Sequence, residues 1–428
     1  MRITTLALAA AITLCATAAP AKPGGEIAQP STSTPTLTLS EALALAEDAN
    51  PVLRARKAQL DAAEGASAEA AALLANNPQL NVDATRRKVP VDSGIEHWPE
   101  WSAGVSQTFE VAGQRGHRRE ATGQAVQALR LEIEDLRRQQ RAEVAQRFYK
   151  VVALQRRLEL EAQAARLFDE TAQAVERRRA AGEDTRLDAN VARVEAERAR
   201  NQHAAVEDAL TQARSELARP LQLPPSQWPV ASGNLDPAPL AYDEEGLLRQ
   251  LRQTPRLQAL TARETSAKAR LDLARAGRYP DVTVGLSVGR EGSLDAREHL
   301  TTLSVSVPLP LFRHNDAAIG SASSEASQAR IDREAAERDL PAQVHVEWTR
   351  LENLRQRVDR LQKTVVPALS SNEELSRKSL KAGQIGLLEL IVTNRQSLDA
   401  QRDLVDALLD YQMTRLALEA DAGWNGHP

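Results

Sequence analysis

Hydrophobic positions in this chain follow two periods, and blocks of one period alternate with blocks of the other. In one kind of block they recur at every second residue. Val282, Val284, Leu286 and Val288 alternate with Thr283, Gly285, Ser287 and Gly289, and Leu303, Val305, Val307, Leu309 and Leu311 alternate with Ser304, Ser306, Pro308 and Pro310. An earlier pair reads Leu80, Val82, Ala84 and then Trp101, Ala103, Val105, with Phe109 and Val111 further on. A period of two predicts strands with one apolar face and one small polar face. Each segment is about ten residues long, the length a tilted strand needs to cross a bilayer. Trp98, Trp101, Phe109, Tyr279 and Phe312 stand near the segment ends, where interfacial aromatics belong. A soluble hairpin with one buried face satisfies the same pattern.

The other blocks are helical. A first helix is predicted from Ser40, as its N-cap, to about Asn76, and its counterpart from Glu244 to about Ala276. Pro78 and Pro280 stop them. After the strands, residues from about Gly116 to Ala181 contain no proline, and those from about Ala317 to Ala382 contain Pro341 and Pro367 as expected kinks. Val144, Phe148, Val151, Leu154 and Leu158 in the first stretch, and Leu351, Leu354, Val358, Leu361 and Val365 in the second, make the narrow seam of a coiled coil. Some 66 helical residues span roughly 100 Å, too long a rod for a globular domain. Gly182-Glu183-Asp184 and Gly383-Gln384-Ile385-Gly386 then break the pattern, and shorter helices return to about Arg219 and about Ala420. The entering and returning helices together, about 70 residues, match the long one. Each set therefore predicts a two-ply rod, with strands at one end and a glycine turn at the other.

The two sets are one repeat used twice. Asn50-Pro51-Val52-Leu53 answers Thr254-Pro255-Arg256-Leu257, and Pro78-Gln79-Leu80-Asn81-Val82 answers Pro280-Asp281-Val282-Thr283-Val284. Ala181-Gly182 with Leu187-Asp188 answers Ala382-Gly383 with Leu388-Glu389. The expected organisation is a signal peptide at 1–21, a flexible segment at 22–38, a first repeat at 39–220, a linker at 221–241 and a second repeat at 242–424.

Composition agrees with long packed helices: aromatics are 3% of 428 residues, and alanine, leucine, glutamate, arginine and glutamine dominate. The N-terminal run from Met1-Arg2 to about Ala16, followed by Ala19-Pro20-Ala21, reads as a secretory signal. That run is too short for a transmembrane helix, and no later segment qualifies. The single cysteine, Cys15, lies inside the signal, which excludes disulfides from the mature chain. A net charge of −4 offers no footprint for nucleic acid. Two repeats supply four strands, which cannot close a barrel, and open edges are not tolerated in lipid. If the strands are membrane strands, the chain must therefore associate. Two copies would give eight strands and a packed interior; three would give twelve and room for a channel.

On these residues the chain resembles the TolC-like outer membrane efflux proteins over essentially its whole mature length. The likeness rests on the twofold helix-strand-strand-long helix-helix order, on Val307-Pro308-Leu309-Pro310-Leu311-Phe312 before the second long helix, and on Leu380-Lys381-Ala382-Gly383 with Leu387-Leu388-Glu389 after it. Val105-Ser106-Gln107-Thr108-Phe109-Glu110 and Gly113-Gln114-Arg115 are similar to the strand-to-helix junction of the CzcC-like, heavy-metal branch, with Gln114 where lysine is common. The resemblance implies a mainly α fold with a small β part. It would assemble as a homotrimer with a twelve-stranded barrel in outer membrane lipid and a twelve-helix periplasmic tunnel. It also implies a periplasmic adaptor and an inner-membrane pump of the proton-driven resistance-nodulation class as partners. The implied cargo is a heavy-metal cation. A duct for drugs or other organic molecules, and a soluble periplasmic coiled-coil scaffold or adaptor, are the alternatives.

No nucleophile elbow, phosphate loop or zinc-hydrolase motif occurs, so neither catalysis nor a cofactor is expected. The seven histidines (His97, His117, His203, His299, His314, His345 and His427) show no ligand spacing, and the mature chain keeps one methionine, Met413. The functional candidates are the two tips. The resemblance makes Asp188 and Glu389 candidate acids of the closed aperture, although the second acid often found three residues later is here Val392. Such acids near a threefold axis would set cation selectivity; each equally suits a helix start, where the dipole favours a carboxylate. Gly182 and Gly383 are expected to make the tip turns. Arg179, Thr185, Leu187, Lys381, Leu387 and Leu388 are the candidate adaptor contacts.

Overall fold

Caps and prolines set most of the element boundaries. The computed structural model describes residues 36–91, 94–224, 228–293 and 296–424, all within one compact unit, Thr34–Pro428. The expected signal peptide, Cys15, nearly all of the expected flexible segment and His427 lie outside the described residues. Strand β1 (Thr36–Leu37) leads into α1 (Leu39–Ala49). The cap is Thr38, not the expected Ser40: the Thr38 backbone N–H donates to the Glu41 carboxylate at 2.8 Å and the Thr38 hydroxyl accepts from the Glu41 N–H at 3.4 Å. The helix predicted as continuous to Asn76 is broken at Asn50. Its side chain caps α2 (Pro51–Ala70), whose first residue has no N–H to offer the preceding turn. This helix ends eight residues before Pro78, so the proline does not stop it.

Strands β2 (Gln79–Val91) and β3 (Gly94–Phe109) follow, then α3 (Gln114–Ala180), 67 residues long and about 100 Å at the helical rise. It starts two residues before the expected Gly116. Gly113, in the left-handed region, turns the chain into it. The Gln114 amide accepts from the Ala112 N–H at 2.7 Å and donates to Asp281 at 3.2 Å, joining the strand-to-helix junctions of the two repeats. Helix α4 (Arg186–Ala218) returns along α3, and β4 (Val230–Ala231) pairs in parallel with β1.

In the second half α5 (Glu244–Gln250) and a 3₁₀ turn, Leu251–Gln253, are separated from α6 (Pro255–Ala276) by the Thr254 cap, the same break as at Asn50. Then come β5 (Val282–Glu291), β6 (Glu298–Ser306) and α7 (Asp316–Arg360). A π-helical turn, Leu361–Val365, joins α7 to α8 (Val366–Lys381), and α9 (Leu387–Ala422) returns. Strand β6 starts earlier than predicted and stops at Ser306, because Pro308 and Pro310 have no N–H for a ladder although the alternation runs on. Pro341 does not break α7; the interruption falls only at the π turn before Pro367. Helices α1, α2 and α4, of 11, 20 and 33 residues, together nearly match the 67 of α3, as expected, although the entering helix is broken at Asn50 and stops short of Asn76.

The four long strands form one antiparallel sheet, ordered β2-β3-β5-β6, so the two repeats meet at β3 and β5. Two apolar cores lie between the sheet and the tips. One gathers Val144, Phe148 and Val151 of α3 with Leu210, Leu217, Leu404 and Leu408. The other gathers Leu247, Leu340, Val344, Leu351, Tyr411 and Leu418. A smaller one, with Leu160, Phe168, Ala196, Ile391 and Leu398, ties α3, α4 and α9 nearer the tips. Beside it the buried Glu161 accepts from Arg157 at 2.9 Å and from Arg402 at 2.5 Å, linking the long helix of one repeat to the returning helix of the other.

Candidate functional site

The tips are built alike. At the first, the Glu183 N–H donates to the Arg178 carbonyl at 2.9 Å and the Gly182 N–H to the Arg179 carbonyl at 3.0 Å. At the second, Gln384 donates to Ser379 at 2.9 Å and Gly383 to Leu380 at 3.0 Å. Gly182 has φ +84° and Gly383 φ +73°, and nothing lies within 4 Å of a Cβ added at either, so backbone conformation alone asks for glycine there.

The caps that follow differ. Thr185 and Asp188 close a full box: the Thr185 hydroxyl donates to the Asp188 carboxylate at 2.6 Å and accepts the Asp188 N–H at 3.1 Å, while the Thr185 N–H donates to the carboxylate at 3.1 Å. These hydrogen bonds, first from the Thr185 hydroxyl and then from its N–H, hold Asp188 below the usual carboxylate range. At the second tip Gly386 has no side chain to give, and only its N–H donates to Glu389, at 3.3 Å. Asp188 and Glu389 thus take equivalent places on α4 and α9, each bound to its own helix start and not to the other.

Of the expected contact residues, Leu187 and Leu388 project into solvent, 71% and 65% exposed, at matching positions. Leu387 is half-buried against the tip core. Arg179 pairs with Glu176 at 2.5 Å, and this hydrogen bond lowers Glu176. Arg178, which the sequence did not single out, braces the first turn through Asp184 at 3.2 Å. Lys381 is exposed.

At the other end the ladder sorts the strand residues by parity. Leu80, Val105, Leu286 and Leu303 stand in one row, and Val82, Ala103 and Val288 in the next. This face is open: Leu80, Val82, Leu303 and Val305 are each at least 65% exposed. The opposite face carries Ser102, Gly104, Ser106, Gly285, Ser287, Gly289, Thr302 and Ser304. A soluble hairpin would cover its apolar face; here it is bare. Strands β5 and β6, 10 and 9 residues long, fit a bilayer, whereas β2 and β3, 13 and 16 long, overshoot. Trp98, expected as an interfacial aromatic, instead lies on the small polar face and donates to Glu100 at 3.1 Å.

Among the described residues no helix is long and apolar enough to cross a membrane, and no group of three or more His, Cys, Asp or Glu is placed to hold a metal ion.

A family model described as outer membrane efflux protein matches residues 42–221 and 247–423. The cobalt-zinc-cadmium resistance protein CzcC of Cupriavidus metallidurans is 29% identical over 377 residues, 88% of this chain and 85% of that protein. Among solved structures, the outer membrane protein VceC of Vibrio cholerae has a TM-score of 0.73 at 18% identity, covering 90% of this chain and 96% of the other. The CmeC outer membrane channel of Campylobacter jejuni has 0.75 at 12% identity, covering 90% and 85%.

Proposed function

The chain belongs to the outer membrane efflux protein family, and we propose that it works as a homotrimer, the exit duct through which a tripartite pump of the resistance-nodulation class expels heavy-metal cations. The family is one of channels, not enzymes. The observation that carries the reading is the four-stranded sheet with one bare apolar face and one small polar face. Lipid suits the first and a water-filled lumen the second. The edges β2 and β6 run antiparallel to each other, so β6 of one copy can pair with β2 of the next. Three copies then close a barrel of twelve strands. Helix α3 carries the duct about 100 Å from the barrel towards the inner membrane.

Two observations favour a cationic cargo. One is the likeness to the cobalt-zinc-cadmium resistance protein. The other is the charge of the lumen face: Asp83, Glu96, Glu100, Glu291 and Glu298 all lie on it, all but Asp83 towards the end away from the helices, with Arg87 as the one strand base among them. At the other end of the duct, Asp188 and Glu389 are the acids of the aperture. Leu187 and Leu388, flanked by Arg179, Thr185, Lys381 and Leu387, form the surface that meets the periplasmic adaptor. The repeats run from 39–220 and 242–424, joined by a linker.

Deleting the gene and restoring it, across gradients of zinc, cobalt, cadmium, nickel, copper and several hydrophobic drugs, tests the cargo. Metal sensitivity reversed by the gene is expected. Drug sensitivity alone would leave a duct for organic molecules. For the aperture, Asp188→Ala with Glu389→Ala should raise the resting conductance of the reconstituted channel; unchanged conductance and cation block would remove these acids from the gate.

A further inference from the structure

The ladder register sorts the charges of the sheet as cleanly as its apolar residues. On the apolar face, the positions just beyond the apolar rows are Arg86 and Lys88 of β2, His97 of β3, Arg290 of β5 and His299 of β6. No acid occurs on that face within the strands; the strand acids all point the other way. Arg290 stands directly across the ladder from Trp101, and His299 directly across from Arg290, level with the last aromatic of the apolar band. Arg86, across from Pro99, lies one row further out on that face, and Lys88 and His97, across from each other, a second row out. The bases thus form a belt that starts at Trp101 and extends away from the helices.

The protein leaves this belt without counter-charges. Arg86, Lys88 and Arg290 make no ion pair among the described residues, and Arg290 keeps an Nε that is shielded from solvent yet has no hydrogen-bond partner. Arg87, one residue along but on the lumen face, is paired with Glu100 at 2.9 Å. Protection of an open edge would explain lysine or arginine on β2. It does not explain Arg290, whose strand lies between β3 and β6.

We propose that this belt binds the phosphate groups of anionic lipids in the leaflet at the end of the sheet away from the helices. The inference rests on the reading of the sheet as a barrel wall. A base on the lipid side, next to the apolar band, sits at headgroup depth, and a guanidinium fork matches phosphate geometry. Three copies repeat the belt around the barrel. The same parity keeps the acids in the lumen, so the wall attracts anions outside and cations inside.

The test is quenching of Trp101 fluorescence in the full-length protein, reconstituted in mixed vesicles of phosphatidylcholine and phosphatidylglycerol with one or the other lipid brominated. Trp101→Phe supplies the background of the remaining tryptophans. The anionic lipid should be preferred at Trp101 by at least about fivefold, the effect of a single surface lysine or arginine. Arg86→Gln/Lys88→Gln/Arg290→Gln should bring the preference to within about twofold of unity, and Glu291→Gln/Glu298→Gln on the lumen face should leave it unchanged. Equal quenching by both lipids in the unaltered protein, or a preference that survives the triple substitution, would overturn the lipid belt and leave the barrel. No quenching by either lipid would overturn the barrel reading and the belt with it.

Discussion

The long helices of the two repeats come from duplicated sequence and end in the same turn, yet they sit in the protein differently. Helix α3 runs 67 residues without interruption and buries side chains along most of its length, from Gln114 to Val175. Its counterpart is divided by the π turn at Leu361–Val365, and α8 beyond it buries no residue at all. One repeat supplies the spine, and the other supplies a limb that lies against α9. Duplication fixes what an element is; its neighbours fix how tightly it is held.

The largest test of this contrast is at Glu161, where the spine meets α9. Glu161→Ala takes the shared carboxylate from Arg157 and Arg402, which keep Asp406 and Asp399, and should cost about 2–3 kcal/mol in denaturant unfolding. Leu375→Ala, on the bare α8, should stay within about 0.5 kcal/mol. Similar losses at the two sites would erase the distinction between spine and limb.

A pH effect comes next. Glu347 of α7 faces Asp421 of α9, with Gln343 donating to Asp421 at 2.5 Å, Arg256 of α6 at 3.9 Å, and Arg350 and Asp135 contributing charge. Burial, then the Asp421 carboxylate, pushes Glu347 up to about 7, and burial raises Asp421 also. A raised carboxyl favours its protonated form. Its contribution to stability is therefore whole below the ordinary carboxylate range and is lost as pH rises towards 7. The melting midpoint should fall between pH 5 and pH 8 on this account, and Glu347→Gln should flatten the slope; equal slopes would rule the pair out as its source.

The tip caps give the smallest effect. Thr185→Ala removes the hydroxyl of a full box and should cost about 1 kcal/mol locally, read as faster amide exchange at the start of α4. It should also let Asp188 rise towards its ordinary value, a shift visible by carboxyl NMR titration. Gly386→Ser, at the second tip, should slow exchange at the start of α9 by a few tenths of a kcal/mol's worth. Equal exchange before and after both changes would show that the caps do not set the local stability.

Much of the candidate site was legible in the chain. Gly182 and Gly383 are tip glycines because a helix ending in a left-handed residue favours glycine, and that demand is local. Asp188 was legible as a helix-start acid; its partner Thr185 was singled out for a different reason, as a contact residue. The bases on the apolar face of the sheet were not legible because Arg86 and Arg87 are adjacent in sequence. Only the strand register tells which of them shares a face with Leu80. Ser40 was mistaken for a cap because the box begins two residues earlier, at Thr38.

The sequence by itself determined the order of elements, the duplication, the alternation of the strands and the turns. Each depends on backbone geometry and on residues close together along the chain. Only the tertiary structure decided that the hairpins join through β3 and β5, that Glu161 ties α3 to α9, and that α3 is buried along most of its length while α8, the last stretch of its counterpart, is bare. Those contacts join residues such as Glu161 and Arg402, separated by 241 positions, and packing between surfaces selects them, not any local pattern.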